Sequence, residues 1–520
     1  MDGSRGPDAG DGSDAGSVAT PAGHSKRGRA VYGGTDRATY GRPTRTHTRT
    51  MVVGDMTTGT DVLVIGGGPG GYTAAIRAAQ KGLDATLVER DAYGGTCLNH
   101  GCIPSKAYIT AADVAHEAGT AEEMGIHADP AVDLAGLCDW KDGVVDQLTG
   151  GVEKLCKGNG VNLIEGTATF AGEHKARVAH GGEGQGSESL EFEHCIVATG
   201  SRPVSVPGFD FADDPVLSSK GALALDTVPD RLVVVGAGYI GMELSTVFRK
   251  LGAEVTVMEM LDDVLPGYED DVSRLVRTRA ESLGVDFSFG EAAAGWEPAE
   301  DGEGIVVASE TEDGERREYP ADRVLVAVGR EPVTDTLNLD RAGLEPNDRG
   351  FLETDDRART DLHHVFAEPM LAHKAAKEGI VAAEVAAGEP AALDQQAIPA
   401  AVFTDPEVAT VGLTESEAEE EGFDPVVGEF PLRASGRALT TGDSEGVVRV
   451  VADEPSGFVL GATIVGPDAS ELIAEPTLAI EMGATLEDVA ATVHTHPTLS
   501  ESVMEACENA LGQAIHTLNR

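Results

Sequence analysis

Residues 94–106 read Gly-Gly-Thr-Cys-Leu-Asn-His-Gly-Cys-Ile-Pro-Ser-Lys. Within this stretch Cys97 and Cys102 stand five positions apart, between paired glycines and a Pro-Ser-Lys sequence. Two close thiols in a chain without a secretory signal are more often a redox pair than a structural crosslink. A metal site would need more ligands than these thiols and His100. Packing of both cysteines as small hydrophobic residues is the alternative to a redox-active dithiol.

The residues before the cysteine pair have the pattern of a dinucleotide-binding unit. A short apolar run at 61–65 leads into Gly66, Gly68 and Gly71 in the order G-x-G-x-x-G, and a second predicted strand ends at Glu89. In such a unit the glycines allow a tight turn and close approach of a pyrophosphate, which the helix amides bind. The acidic residue accepts a hydrogen bond from a ribose hydroxyl, so the pattern predicts one dinucleotide site here.

The same unit recurs 170 residues later. An apolar run at 232–235 leads into Gly236, Gly238 and Gly241, and the next predicted strand ends at Glu259. The spacing from first glycine to acidic residue is 23 in both copies. A carboxylate binds a ribose 2′-hydroxyl and repels a 2′-phosphate, so the second site is expected to take NAD rather than NADP.

From about Thr60 to Arg520 the chain resembles the pyridine nucleotide–disulfide oxidoreductases. The resemblance is carried by residues 94–106, by both glycine fingerprints and by His-Thr-His-Pro-Thr-Leu-Ser-Glu at 494–501. It implies FAD in the first nucleotide site and NAD in the second. It also implies an enzyme that oxidises protein-bound dihydrolipoamide to lipoamide and reduces NAD⁺ to NADH. Its partners would be lipoyl-bearing subunits of 2-oxoacid dehydrogenase or glycine cleavage complexes.

The resemblance assigns catalytic roles to five residues. Cys97 is expected to be the interchange thiol that meets the substrate, and Cys102 the thiol beside the flavin. His496 is expected to accept the substrate proton, with Glu501 orienting its ring. In the family this histidine reaches the cysteine pair of the other subunit, so a homodimer is expected. Lys106 matches the lysine that lies near the flavin.

Further residues are assigned to the cofactors by the same resemblance. Glu243 matches the partner of Lys106, and Tyr239 matches a residue that covers the flavin where the nicotinamide will lie. His494 is expected to have no catalytic part, and no metal is expected. The other positions assigned to the nucleotide sites are Thr96, Thr199, Gly200, Gly329, Met370, Leu371, Ala372 and His373.

One segment departs from the family pattern. Family members have a strand, then Gly-Asp, then a short loop leading to Met-Leu-Ala-His-Lys-Ala, whereas here Ala367 runs directly into Glu368 and about six residues are missing. Loss of the aspartate, a charged acceptor for the flavin ribitol, would cost about 1.5–3 kcal/mol. The chain could therefore be a flavoenzyme with a shortened loop or a flavin-deficient, non-catalytic relative.

Related disulfide reductases are the other alternative. Mercuric reductase expects a cysteine pair near the C-terminus, where this chain has only Cys507. Glutathione reductase would prefer NADPH, which Glu259 disfavours.

The order of these units predicts an α/β protein with two Rossmann-like dinucleotide-binding domains and a C-terminal α+β dimerisation domain. The polar segments near 171–194 and 291–320 are predicted as hairpins of a meander, and helices are predicted near 469–482 and 499–517. The predicted limits are a disordered or non-native tail at 1–55, the FAD-binding domain at 56–200 and 331–396, the NAD-binding domain at 201–330, and the dimerisation domain at 397–520.

The amino-acid composition restricts which partners the protein can bind and indicates the salt conditions to which it is adapted. The net charge is −49, with 88 acidic against 39 basic residues, only 11 of which are lysine. Nucleic acid and acidic membranes would repel such a surface, and the excess of acid predicts a halophilic protein that loosens at low salt. The sequence has no run of 18 apolar residues, so no membrane span is expected. The remaining four cysteines are scattered along the sequence, which argues against a framework of structural disulfides. We therefore expect a cytoplasmic enzyme.

Overall fold

The structure is a computed structural model that describes residues 57–181, 186–300, 302–360 and 371–519. The predicted tail at 1–55 lies outside these residues. The shortened connection between Ala367 and Glu368 also lies outside them, as does Met370.

The first nucleotide-binding unit is built on a six-stranded sheet. Its elements are β1 (Thr57–Ile65), α1 (Pro69–Gln80), β2 (Ala85–Glu89), α2 (Gly95–Asn99), α3 (Cys102–Thr120), α4 (Leu134–Gly158), β3 (Asn162–Glu165), β4 (Thr167–Gly172), β5 (Lys175–Ala179), β6 (Ser187–Val197) and β7 (Ser201–Pro203). The strand order is β3-β2-β1-β6-β5-β4. Because β1 pairs in parallel with both β2 and β6, the carboxyl ends of these three strands meet at one edge, where a nucleotide is expected to bind.

The second unit repeats this arrangement around a five-stranded sheet. Its elements are β8 (Val216–Leu217), α5 (Ser219–Ala222), β9 (Arg231–Val235), α6 (Tyr239–Lys250), β10 (Glu254–Glu259), α7 (Asp270–Leu283), β11 (Val285–Phe289), β12 (Glu291–Pro298), β13 (Ile305–Thr311), β14 (Arg316–Ala321), β15 (Arg323–Val326) and β16 (Arg330–Pro332). The strand order is β11-β10-β9-β15-β8, and β12, β13 and β14 form a separate antiparallel meander. Strand β16 pairs with β7, which joins the ends of the two units.

The C-terminal part consists of a helix that returns to the first unit, followed by an antiparallel sheet. Its elements are α8 (Ala372–Ala386), β17 (Ala400–Val402), β18 (Val408–Gly412), α9 (Glu415–Glu421), β19 (Pro425–Pro431), α10 (Gly436–Thr441), β20 (Val447–Asp453), β21 (Val459–Val465), α11 (Ala469–Leu472), α12 (Ala474–Met482), α13 (Leu486–Ala490) and α14 (Glu501–Ala510). The strand order is β17-β18-β21-β20-β19. Helix α8 packs on α1, at the first glycine turn.

One detail differs from the sequence-based expectation, and a second was not predicted. Helix α14 ends at Ala510 rather than near 517, and Gly512 follows with a left-handed φ of 69°. Strand β20 is buried on both faces from Val448 to Ala452. The second face of β20 is covered because Arg449 donates to Glu429 and forms ion pairs with Glu269 and Asp271 at the start of α7.

The part of the chain that the structure describes contains no helix long and apolar enough to cross a membrane.

Candidate functional site

The first glycine turn shows why small residues are needed between β1 and α1. Gly66 has a left-handed φ of 103°, and a Cβ atom there would lie 2.2 Å from the carbonyl oxygen of Ala198. A Cβ atom on Gly71 would lie 1.8 Å from the carbonyl oxygen of Gly66. A Cβ atom on Gly68 would have no neighbour closer than 3.8 Å. The first and third glycines are therefore required by packing, whereas the second leaves the backbone open to the cleft.

The second turn, between β9 and α6, repeats this geometry. Gly236 also has a φ of 103°, and a Cβ atom on Gly241 would lie 2.0 Å from the carbonyl oxygen of Gly236. Within the described ranges, a Cβ atom on Gly238 would meet no atom closer than 4 Å. Both turns thus present an open backbone at the start of a twelve-residue helix, which is the arrangement that binds the pyrophosphate of a dinucleotide.

Each turn is also held by the acidic residue that ends the next strand. One carboxylate oxygen of Glu89 accepts a hydrogen bond from the Gly67 amide at 2.5 Å. In the second unit, a carboxylate oxygen of Glu259 accepts from the Ala237 amide at 2.8 Å, and the other accepts from Leu261 at 2.9 Å. Carboxylate oxygens have further lone pairs, so these bonds are compatible with an additional ribose hydroxyl.

A cleft of about 460 Å³ opens at the edge of the first sheet and reaches the start of α6. Thirteen of the residues predicted from the sequence line it: Gly66, Gly68, Glu89, Thr96, Cys97, Cys102, Lys106, Thr199, Gly200, Tyr239, Glu243, Leu371 and Ala372. The volume is in the range of ordinary ligand sites. Its walls therefore bring together the first glycine turn, the cysteine pair and the start of the second nucleotide unit.

Not every predicted residue lies in this cleft. Gly71 is buried behind it, and His373 turns away, with Nε2 2.7 Å from the carbonyl oxygen of Pro399. Gly329 has a φ of 138° after β15, at the edge of the second sheet. The second-unit residues Gly236, Gly238, Gly241 and Glu259 form their own turn outside this cleft.

The two cysteines are not bonded to each other in the structure, and their environments differ. Cys102 is the first residue of α3, where free backbone amides favour a thiolate. A hydrogen bond from Cys97 and the charge of Lys106 lower the pKa of Cys102 to about 7, against the opposing effect of partial desolvation. The same hydrogen bond, together with burial, raises the pKa of Cys97. The reduced pair therefore favours a thiolate on Cys102 and a thiol on Cys97.

We expect the Cys102 thiolate to titrate with a midpoint near pH 7. Because the pKa of Cys102 is lowered from 9, the thiolate is present above pH 7 and lost as the pH falls below it. The measurement is the long-wavelength thiolate–flavin absorbance of the reduced protein as a function of pH. In Lys106→Met the midpoint should move upward, because the nearby positive charge is lost. A midpoint that stayed near 7 in that variant would contradict the assigned cause.

Lys106 is held beside the cysteines by a buried carboxylate. Its Nζ lies 2.8 Å from Oε2 of Glu243, whose surface is only 5% exposed. Oε1 of Glu243 accepts a hydrogen bond from the Phe403 amide at 3.0 Å, and Nζ of Lys106 lies 4.1 Å from the centre of the Phe403 ring. This cluster joins α3, α6 and the residue that follows β17.

The C-terminal histidines have different partners. Nδ1 of His496 lies 2.9 Å from Oε1 of Glu501, and the Thr498 amide donates to Oε2 at 2.8 Å. Although partial burial opposes it, these two bonds hold the pKa of Glu501 below its ordinary value. The side chain of His496 is 80% exposed and does not line the cleft of its own chain. His494, by contrast, is nearly buried and lies 2.8 Å from Glu475.

Two residues of the site were not predicted from the sequence. Arg330 lines the cleft and donates from Nε and Nη2 to Oγ and the carbonyl oxygen of Ser201. Phe403 lies 160 residues from its partner Glu243, and no local motif marks it. A basic residue directly after Gly329 was the only available signal for Arg330. Among the described residues, no three His, Cys, Asp or Glu side chains are placed to hold a metal.

Comparison with family models places nearly the whole described chain in one family. The model described as pyridine nucleotide-disulphide oxidoreductase matches residues 60–379. The model of that family's dimerisation domain matches residues 398–507. The chain is 72% identical over 477 residues to dihydrolipoyl dehydrogenase of Haloferax volcanii, covering 90% of this chain and 100% of that relative. It is 46% identical over 477 residues to dihydrolipoyl dehydrogenase of Geobacillus stearothermophilus, with the same coverage.

Solved structures show the same architecture. LpdA from Mycobacterium tuberculosis matches with a TM-score of 0.78 and 28% identity, over 86% of this chain and 99% of that chain. The flavoprotein disulfide reductase RclA from Escherichia coli matches with a TM-score of 0.76 and 26% identity, over 86% and 99% of the two chains. The predicted fold class is confirmed, and the chain belongs to the pyridine nucleotide-disulphide oxidoreductase family, whose members use FAD and NAD(H).

Proposed function

We propose that this chain catalyses the FAD-dependent oxidation of dihydrolipoamide to lipoamide with reduction of NAD⁺ to NADH. The observation that carries the proposal is the Cys97–Cys102 pair, which lies in one cleft with the first glycine turn and the Lys106–Glu243 pair. Relatives of high identity across the chain carry the name dihydrolipoyl dehydrogenase. The enzyme is therefore an NAD-dependent flavoprotein disulfide oxidoreductase.

The cysteine pair exchanges disulfide bonds with the substrate. In the oxidised pair, a substrate thiolate attacks Sγ of Cys97, the Cys97–Cys102 bond breaks, and Cys102 leaves as a thiolate. The second substrate thiolate then attacks the substrate sulfur of the mixed disulfide, which releases Cys97 and closes the lipoamide ring. The substrate loses two electrons and the enzyme disulfide gains them. The lowered pKa of Cys102 makes it the better leaving group.

The protein's own residues fit the cofactors that the family uses. Gly68 leaves the backbone open above α1. Gly200 has a φ of 68°, and no atom of the residues that the structure describes lies within 4 Å of where its Cβ atom would be. Thr96, Thr199, Leu371 and Ala372 complete the walls of the same cleft. Bound FAD supplies the chemistry that links a dithiol to hydride transfer. The second turn, with Glu259, would hold NAD, and Tyr239 lies between the two sites.

We propose that the protein is a homodimer in which His496 acts on the partner's cysteines. In support, His496 is exposed and lies outside the cleft of its own chain, and the chain carries the family's dimerisation domain. With Nδ1 bonded to Glu501, Nε2 of His496 is available to accept the substrate proton. We further propose a cytoplasmic enzyme that serves lipoyl-bearing subunits of 2-oxoacid dehydrogenase or glycine cleavage complexes. We also propose the domain limits predicted above, with one domain binding FAD, one binding NAD and the last forming the dimer contacts.

Glu259→Gln is expected to weaken discrimination between NAD⁺ and NADP⁺. The change removes the charge that repels a 2′-phosphate, but it keeps an oxygen that can accept from the Ala237 amide. We expect the preference for NAD⁺, measured as the ratio of kcat/KM values, to fall about tenfold. Glu254→Gln, at the exposed start of β10, is the matched control. An unchanged ratio in Glu259→Gln would remove this residue from cofactor selection.

The substrate assignment is tested by comparing two substrate pairs on the purified holoenzyme in high salt. Rapid-mixing measurements should show fast turnover of dihydrolipoamide with NAD⁺ and slow turnover of glutathione disulfide with NADPH. Faster turnover of the second pair would instead make the chain a glutathione-type disulfide reductase.

A further inference from the structure

The Lys106 ammonium contacts groups from two other parts of the chain. Lys106 itself lies on α3, four residues after Cys102 and therefore on the same side of the helix. Oε2 of Glu243 lies 2.8 Å from Nζ, and the Phe403 ring centre lies 4.1 Å from it. The open side of the lysine faces the cleft that contains both cysteines. Its position is thus set by one carboxylate and one aromatic face.

Phe403 contacts this pair through both its backbone and its ring. The residue follows β17 directly, so the C-terminal sheet fixes where it lies. Its amide donates to Oε1 of Glu243 at 3.0 Å, while its ring covers the ammonium. Because Glu243 is only 5% exposed, each of its oxygens depends on a protein partner. Phe403 therefore satisfies the carboxylate and confines the lysine at the same time.

The ring differs from the carboxylate in its effect on the lysine charge. An aromatic face attracts an ammonium without adding a compensating negative charge, and the attraction grows when water is excluded. Glu243 opposes the thiolate form of Cys102, whereas Lys106 favours it. The net effect of the two charges on the Cys102 thiolate therefore depends on the position of the Lys106 ammonium relative to the thiol and to the Glu243 carboxylate. Without the ring, the flexible lysine side chain would be free to turn away from the thiol toward solvent.

We propose that Phe403 is a positioning residue for the redox pair: its ring holds the Lys106 ammonium where the charge stabilises the thiolate of Cys102. The C-terminal domain thereby contributes to the reactivity of the flavin-side thiol within its own chain. The inference rests on the proposed roles of Cys102 and Lys106 and adds a residue to them.

The test is the pH titration of the long-wavelength absorbance in the full-length, FAD-loaded protein, reduced anaerobically with dihydrolipoamide. Phe403→Leu should move the midpoint upward by about half a pH unit, a threefold change in the thiolate equilibrium. Phe403→Tyr, which keeps the aromatic face, should restore the wild-type midpoint. Phe423→Leu, an exposed phenylalanine of the same domain, is the control and should have no effect.

A double substitution separates positioning from general loosening of the fold. In the Lys106→Met background, adding Phe403→Leu should cause no further shift, because no ammonium remains to be held. An equal shift with and without Lys106 would overturn the inference, as would an unchanged midpoint in Phe403→Leu. If Phe403→Leu does not fold, Phe403→Met is measured in its place against the same two criteria. Absence of the absorbance band in the wild-type protein would instead overturn the proposed role of Cys102, and this inference with it.

Discussion

Cys97→Ser is expected to reduce dihydrolipoamide oxidation on the order of 10⁴-fold, because the sulfur that the substrate attacks is removed. Serine can still donate a hydrogen bond to Cys102, so the thiolate on the flavin side should remain. We therefore expect the variant to show a thiolate–flavin absorption band without prior reduction by substrate. Rates of lipoamide exchange and the visible spectrum are the two measurements.

The matched readout for Cys97→Ser is NADH oxidation by ferricyanide, an acceptor that does not need the disulfide. This rate should stay within about twofold of the wild-type rate, because the nucleotide sites are untouched. Substantial dihydrolipoamide oxidation in Cys97→Ser would contradict the assignment of this residue as the interchange thiol. Loss of both activities together would point to damaged folding rather than to lost exchange.

His496→Gln is expected to lower the rate of dihydrolipoamide oxidation by about 10²–10⁴-fold. Glutamine keeps a polar side chain next to Glu501 but cannot take the substrate proton. The spectrum and the ferricyanide activity should be unchanged, because neither depends on that proton. His127→Gln, at an exposed histidine that is distant in sequence from His496, is the control and should retain full activity. Unchanged turnover in His496→Gln would remove His496 from the proton transfer.

Mixing the two inactive variants tests whether the histidine acts across the dimer. In a mixed dimer of Cys97→Ser and His496→Gln chains, one active site would combine an intact cysteine pair with an intact histidine. Random reassociation should then restore about one quarter of wild-type activity, since half of the dimers are mixed and each has one complete site. If His496 served the cysteines of its own chain, every site in the mixture would stay inactive.

Local patterns in the sequence were sufficient to predict the parts of the site whose residues are close together in the chain. The two glycine fingerprints predicted their strand–turn–helix units, and both turns have the same geometry, including a φ of 103° at the first glycine. The cysteine stretch identified Cys97 and Cys102 as a close pair of thiols. These features depend on neighbours a few residues away, so periodicity and turn chemistry predict them.

Features that depend on distant packing could not be predicted in this way. Phe403 lies beside Lys106 only because the C-terminal sheet returns to α6. Likewise, the buried second face of β20 depends on Arg449 meeting α7, which the strand pattern does not reveal. The early end of α14 could have been read from Gly512, since glycine favours the left-handed conformation that terminates helices.

The most direct test of the whole account is the visible absorption spectrum of the chain purified in high salt, before and after addition of dihydrolipoamide. We predict a flavin spectrum with one FAD per subunit, and a long-wavelength band on reduction that reports the Cys102 thiolate beside the flavin. A folded but colourless protein that takes up no added FAD would contradict the account. The chain would then be a non-catalytic relative, as the shortened segment after Ala367 would allow.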